Sequence, residues 1–330
     1  MVQIYQSTDT DAPILSGTAG ALLSVFRACL VDGYGDKPSL GWEIESSANG
    51  LLAVFSPTDI AASGIALLVD DSASGGGGGR FALARGLNDG GWLGFDGDTP
   101  LFNDALSYPS VAASSFGASW AKSSLANNAA RDWILVGDGR TFYFFSDWAG
   151  RGLGASPNDV AFHIFGAMAA VDTANAGMAL HSANTVDDSS TNVFNTGTRW
   201  RGGALSPSPS SPTEAGYTSG NHTYLIPNSR FDSNSRTGLG SSFANSLVAY
   251  PITQDGGILI EEVPVMTSDS PWQYLGAYRG AYGLAHHLPL PHGHIIDGAA
   301  SPIPGRRLMV IACATAQRTG SVVIDLDGPW

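Results

Sequence analysis

The chain has 330 residues, a formal net charge of −13 at pH 7 and only 14% charged residues, against roughly 25% in an average soluble domain, so Ser, Thr, Asn and Gly must cover much of its surface. An acidic surface repels phosphate at long range, and the two lysines, Lys37 and Lys122, make no polybasic patch, which argues against nucleic acid and anionic membranes as partners. The first residues carry no basic leader, and no apolar run reaches the roughly 18 residues that crossing a bilayer requires, so neither processing nor membrane insertion is expected.

Residues 2–6 predict a short strand, followed by a polar turn over 7–11. Across 18–31, Leu22, Leu23, Val25, Phe26, Cys29 and Leu30 recur at helical spacing, which predicts one helix with Ser16 or Thr18 as N-cap and Gly33 as the stop. Beyond Pro38 the pattern shortens to runs at 40–45, 51–56, 65–69 and 80–84, each bounded by turn residues, as strands are. Gly75 to Gly79 lack a following Gly-Lys-Ser/Thr and predict a flexible hairpin tip rather than a phosphate cradle.

Gly137-Asp138-Gly139 lies between two β-rich runs and predicts a hairpin with strands at 132–137 and 140–146. The run 160–169 is apolar throughout, and periodicity leaves a buried strand and a short helix both open. From 172 to 245 apolar runs are scarce, and the spacer Ser206-Pro-Ser-Pro-Ser-Ser-Pro212 cannot join a ladder, which suggests a long surface insertion. Strands are expected again near 246–252 and 257–263, then at 307–315 and 321–325, the last two as a hairpin about 317–320. No fixed repeat is visible, against propeller or solenoid architectures.

The expected fold is mainly β, a β-rich α+β class: β-sandwich-like sheets, one N-terminal helix near 18–31 and long loop insertions. Three regions follow: an N-terminal β-rich domain over 1–171, a loop-rich insertion over 172–245, and a C-terminal β-region over 246–330 that completes the core.

The sequence holds little recognisable chemistry. There is no Gly-x-Ser-x-Gly elbow, zinc-protease, P-loop or dinucleotide pattern, so neither a catalytic role nor a cofactor is expected. Cys29 and Cys313 sit in apolar runs and read as small buried hydrophobes. The segment His286-His-Leu-Pro-Leu-Pro-His-Gly-His294 concentrates His286, His287, His292 and His294, with Asp297 behind. Neutral imidazoles can ligate zinc or another transition metal, but the prolines hold the segment extended and the spacing fits no standard site, so packing or interface contact is the favoured reading. The acidic pairs Asp70–Asp71, Asp187–Asp188 and Glu261–Glu262 match no calcium loop and read mostly as solvated turn residues. Large aromatics beside small residues suit subunit interfaces, which makes Trp92, Trp148, Trp200, Trp272, Tyr278 and Tyr282 interface candidates. Burial in the core is the competing reading.

Residues 4–23 (IYQSTDTDAPILSGTAGALL) and 28–35 (ACLVDGYG) resemble a widespread family of virion structural proteins of tailed phages of proteobacteria. The likeness extends to Leu68-Val-Asp-Asp71, Trp120-Ala-Lys-Ser123, 130–136 (ARDWILV) and the closing 324–330 (IDLDGPW). Residues 172–240 have no counterpart, and Gln6 stands where relatives often carry histidine. The resemblance implies a structural part of a phage particle, assembled in the host cytoplasm. It brings no catalytic residues. The expected partners are copies of the chain and the major capsid or tail proteins. A capsid decoration or minor capsid role is slightly favoured, with a tail-tip or baseplate protein that contacts a host receptor or glycan as the alternative.

Overall fold

A computed structural model describes residues 1–62, 64–72, 80–88, 92–97, 99–102, 118–153, 160–170, 179–183, 203–205, 223–225, 257–258, 260–267, 274–284, 290–312 and 321–330. The fold is strand-rich, with antiparallel sheets and one α-helix near the N-terminus. Its organising feature is a middle sheet whose central strands, Trp133–Gly137, Thr141–Asp147 and Val160–Ala167, are buried at every residue. Successive side chains of a strand point to opposite faces, so burial of both sets requires a cover on each side.

Alternation sorts the side chains. Trp133, Leu135, Phe142, Phe144 and Phe165 enter a front core, whereas Ile134, Val136, Tyr143, Phe145, Phe162 and Ile164 enter a rear core. The register agrees: Phe144 lies opposite Leu135 and His163, and Tyr143 opposite Val136 and Ile164. This resolves the ambiguous run 160–169 as a strand. The middle sheet is completed by Gln3–Gln6 on the outer side of Trp133–Gly137, and by Ala179–Ala183 and Gly203–Leu205 beyond Val160–Ala167. Two pieces of the expected insertion therefore pair with this sheet, and a third, Thr223–Leu225, lies at the edge of the rear one.

The front sheet runs in the order Trp42–Ala48, Leu52–Pro57, Ile65–Asp70, Phe81–Asn88 and Ala118–Ala121. Its Trp42, Phe55, Leu67, Val69 and Trp120 pack towards the middle sheet, and the helix lies between the two layers. Phe26 of that helix meets Phe55, Trp120 and Phe144 edge-on, with ring centroids 5.3–6.1 Å apart. Full burial of one such side chain contributes about 1.5–3 kcal/mol.

The helix is shorter than the expected 18–31. It is α-helical over Ala21–Phe26 and continues as a π-helical turn over Arg27–Asp32, ending at Gly33 as expected. The widened turn accompanies a diverted carbonyl: Cys29 O accepts Leu40 N–H from outside the helix, while Gly33 N–H reaches back to Ala28 O. Neither Ser16 nor Thr18 is the N-cap. Gly20 holds that position at a left-handed φ of 79°, and the two hydroxyls bond each other at 2.8 Å.

The rear sheet runs in the order Thr223–Leu225, Ile260–Thr267, Tyr274–Leu284, Ser321–Asp325, Leu308–Ala312 and Ile295–Ile296, with Ala169–Ala170 also pairing to the third strand. The same alternation recurs: Met309, Ile311, Val322 and Ile324 face the middle sheet, whereas Leu308, Val310 and Val323 join Ile296 in a smaller outer cluster. The strand expected at 257–263 is displaced to Ile260–Thr267. The expected strand at 246–252, the glycine tip at 75–79 and the turn at 317–320 lie outside the described residues, although Ala312 pairs with Ser321 as a 308–325 hairpin requires.

Candidate functional site

Among the described residues, each interlayer core contains a paired cation. In the front core, Asp71 follows the strand Ile65–Asp70 and Lys122 follows Ala118–Ala121, and the two side chains meet through Nζ and Oδ1, both 0% exposed. Asp71 Oδ2 accepts the N–H of Leu22 at 2.7 Å and of Leu23 at 3.2 Å, thereby capping the helix from a residue far along the chain. Lys122 Nζ also donates to the Thr18 carbonyl at 2.8 Å. Burial pushes the Asp71 carboxyl above the ordinary range, outweighing the opposing pull of Lys122 and the backbone N–H groups.

In the rear core Arg279 makes the corresponding contact. Its guanidinium donates to Asp138 Oδ2 at 2.9 Å and Oδ1 at 3.3 Å, to Thr141 Oγ1 at 3.2 Å, and to the Trp330 carbonyl. Asp138 is the centre of the Gly-Asp-Gly hairpin, where Oδ1 also accepts the N–H of Arg140 and Thr141 at 2.8 and 2.9 Å. Trp330 packs edge-on against Tyr143, with centroids 5.4 Å apart, and its indole lies on Gly280, where a φ of 67° and the absence of a Cβ make room for it. Tyr143 Oη donates to the Arg279 carbonyl at 2.8 Å and closes the knot.

Two described histidines have buried ring nitrogens, His163 within a fully buried side chain and His292 within a half-buried one. His163 stacks on Trp120 at 4.7 Å and on Phe144 at 5.9 Å. Its Nε2 lies 3.1 Å from the Ala121 carbonyl, which fixes that nitrogen as the N–H bearer, and Nδ1 has no partner. Burial pushes its pKa down to about 3, against the Ala121 hydrogen bond. His292 lies against Phe145 at 5.8 Å, neither ring nitrogen has a partner, and burial pushes its pKa down to about 4.

The remaining sequence candidates scatter. His294 is exposed, His286 and His287 lie outside the described residues, and among the described residues no three metal-ligating groups converge. Trp148 and Tyr278 are corrections to the interface reading. Trp148 is buried against Ala121 and Ala161 with the Arg80 guanidinium 5.1 Å over its ring, and Tyr278 lies in the rear core, because each belongs to a segment enclosed between layers. Tyr282 is half-buried beside the outer cluster of the rear sheet. Trp92 opens a short ribbon, Trp92–Asp96 paired with Thr99–Phe102, but its side chain lies outside the described residues, as do Trp200 and Trp272 entirely.

Asp70–Asp71 is a further correction. Both residues are buried, whereas solvated turn residues were expected. Glu262 is exposed and accepts from Tyr274 Oη at 3.2 Å, and Asp187–Asp188 lie outside the described residues. Cys29 is a free, buried thiol, raised well above its ordinary pKa by burial. Among the described residues the surface instead presents Ile14, Ile60, Leu125, Tyr274 and Ile295 as exposed large apolar side chains, none of them among the interface candidates. No family model matches the chain, and no curated protein matches it.

Proposed function

We infer that the chain is a structural subunit of a tailed-phage particle that acts through the fit of its surfaces to other subunits, with an accessory place on the capsid exterior, as a decoration or minor capsid protein, favoured. The observation that carries this reading is where the family-like segments fall. Residues 4–6 lie in the strand that pairs with Trp133–Gly137, of which residues 133–136 belong to the family-like stretch 130–136. Segments 68–71 and 120–123 meet at the Asp71–Lys122 pair, and the closing segment packs Trp330 onto Tyr143. A likeness distributed over segments that contact one another supports a shared scaffold more strongly than isolated motifs would. The net charge of −13 favours a surface held away from packaged DNA.

The partners on this reading are copies of the chain and neighbouring capsid or tail proteins, and neither turnover nor a cofactor is involved. Gold-labelled antibody against the chain, applied to purified particles and viewed by electron microscopy, tests it. Label over the heads is the expected outcome. Label at the tail end would move the protein to a tail-tip or baseplate role that contacts a host receptor or glycan, and particles lacking the chain would end the structural reading.

A further inference from the structure

The buried Lys122–Asp71 contact is not satisfied as a pair of ions. An ammonium group has three N–H donors, and Lys122 Nζ meets two acceptors, Asp71 Oδ1 and the Thr18 carbonyl. Both side chains are fully enclosed, so bulk solvent does not reach the third hydrogen. On the other side, Asp71 Oδ2 already accepts two backbone N–H groups, from Leu22 and Leu23. A different bonding of the same atoms leaves nothing over. An amide joining Nζ to Cγ has one N–H, for which Thr18 O is in place at 2.8 Å, and one carbonyl oxygen, Oδ2, which keeps both backbone donors.

We propose that Lys122 and Asp71 condense into an intramolecular isopeptide bond. The reactants are the neutral amine and the neutral acid, reached from the ion pair by moving one proton from Nζ to Oδ1. The Nζ lone pair attacks Cγ, and the charge that develops on Oδ2 is met by the Leu22 and Leu23 N–H groups, in the manner of an oxyanion hole. One further proton passes from Nζ to Oδ1, the Cγ–Oδ1 bond breaks, and Oδ1 leaves as water with both transferred protons. No oxidant, metal or co-reactant enters the balance. The upward push of burial on the Asp71 carboxyl favours the protonated acid that this step needs.

The backbone holds the two residues in place before reaction. Asp71 N–H donates to Leu51 O, Asp71 O accepts Gly20 N–H, and Lys122 N–H donates to Arg80 O. Pre-positioned reacting groups convert a bimolecular condensation into an intramolecular one with a large rate advantage. The product would tie two strands of the front sheet together across 51 positions of the chain and hold both against the start of the helix.

The test is the mass of the purified, denatured full-length protein, together with a protease digest. The expected result is a chain one water lighter than its sequence and a branched peptide that joins Lys122 to Asp71, with trypsin failing to cut after Lys122. Lys122→Arg, which has no amine able to condense, should restore the full sequence mass. A wild-type protein at full sequence mass overturns the proposal, and so does loss of water without a branched peptide. Because the decisive measurement is made on the wild type, it stands even if Lys122→Arg fails to fold, and it is independent of where on a particle the protein resides.

Discussion

The two interlayer cores are built on opposite faces of the same three strands, yet they solve the burial of charge differently. In the rear core Arg279 presents a planar fork whose donors reach Asp138 twice, Thr141 and the Trp330 carbonyl. In the front core the compact ammonium of Lys122 has two acceptors and is closed to bulk solvent. Arginine suits a fixed, multiply accepted site, whereas the lysine amine is a compact group able to act as a nucleophile. The rear pair is thus held by a full set of acceptors, and the front pair keeps one donor over. The fillings differ as well: the front core wraps rings around the helical Phe26, while the rear closes sheet directly on sheet.

The largest expected effect comes from emptying the front core. Phe26→Ala removes a fully buried ring that touches aromatic side chains of both sheets, and should cost about 3–5 kcal/mol. Guanidinium unfolding midpoints of the variant and the wild type measure it. A loss under about 1 kcal/mol would mean that the space collapses freely, and that the front layer is not the tightly packed one.

Next comes the rear pair. Asp138→Ala strands Arg279 in an enclosed site, where loss of one partner of a buried pair costs about 3–5 kcal/mol. The lower end is expected, because Thr141 and Trp330 still accept from the guanidinium. The same unfolding measurement reads it. A neutral result would show that the Trp330 and Thr141 acceptors alone satisfy the charge.

Both of these positions bear on what the sequence could and could not reveal. The hairpin around Asp138 was legible because its turn chemistry is local: the carboxylate accepts N–H groups two and three residues ahead. The helix was legible in the spacing of Leu22 to Leu30, but its cap was not, since Asp71 lies 49 positions from Leu22. The run 160–169 stayed undecided because a strand covered on both faces loses the polar half of its alternation, and only the register with Phe142 to Phe145 restores the period. Trp148 and Tyr278 looked like surface anchors because small residues surround them, and no local pattern announces that another layer lies over them. A signal for the front pair was present: one of only two lysines closes an apolar strand, in Trp120-Ala-Lys-Ser123, and its partner follows another, in Leu68-Val-Asp-Asp71. Sequence alone could not bring the two together.

The pH dependence sharpens the comparison with an effect of moderate size, because each core meets a described histidine whose ring nitrogens are buried. An unfolded histidine takes up a proton near pH 6.5, whereas His163 in the front core resists protonation down to about 3 and His292 in the rear to about 4. Between those limits the unfolded chain binds more protons, so stability rises with pH across the window and is lost as pH falls below 6.5. The slope is at most about 1.4 kcal/mol per pH unit for each group. His163→Phe keeps a flat ring between Trp120 and Phe144 and should remove one proton's share of that slope, which unfolding curves from pH 7 to pH 4 would show. His292→Phe should remove the other share. An unchanged slope in either variant would mean that water reaches that ring.

The smallest effect is expected beside one of the largest, on the same hairpin. Arg140 follows Gly139 and donates through Nε to Asp59 Oδ2 at 2.6 Å, bridging the middle sheet to the loop after Leu52–Pro57, but the two side chains are 36% and 33% exposed. Water and salt screen such a pair, so Arg140→Ala should cost about 0.5 kcal/mol or less, and added salt should shrink even that. Asp138 and Arg140 are two positions apart and each belongs to an Arg–Asp pair with good geometry, so chemistry and hairpin are common to both. What differs is enclosure between layers. Equal losses in the two variants would show that the rear core admits solvent to Arg279, and the contrast between the buried pairs would then have to rest on the number of acceptors alone.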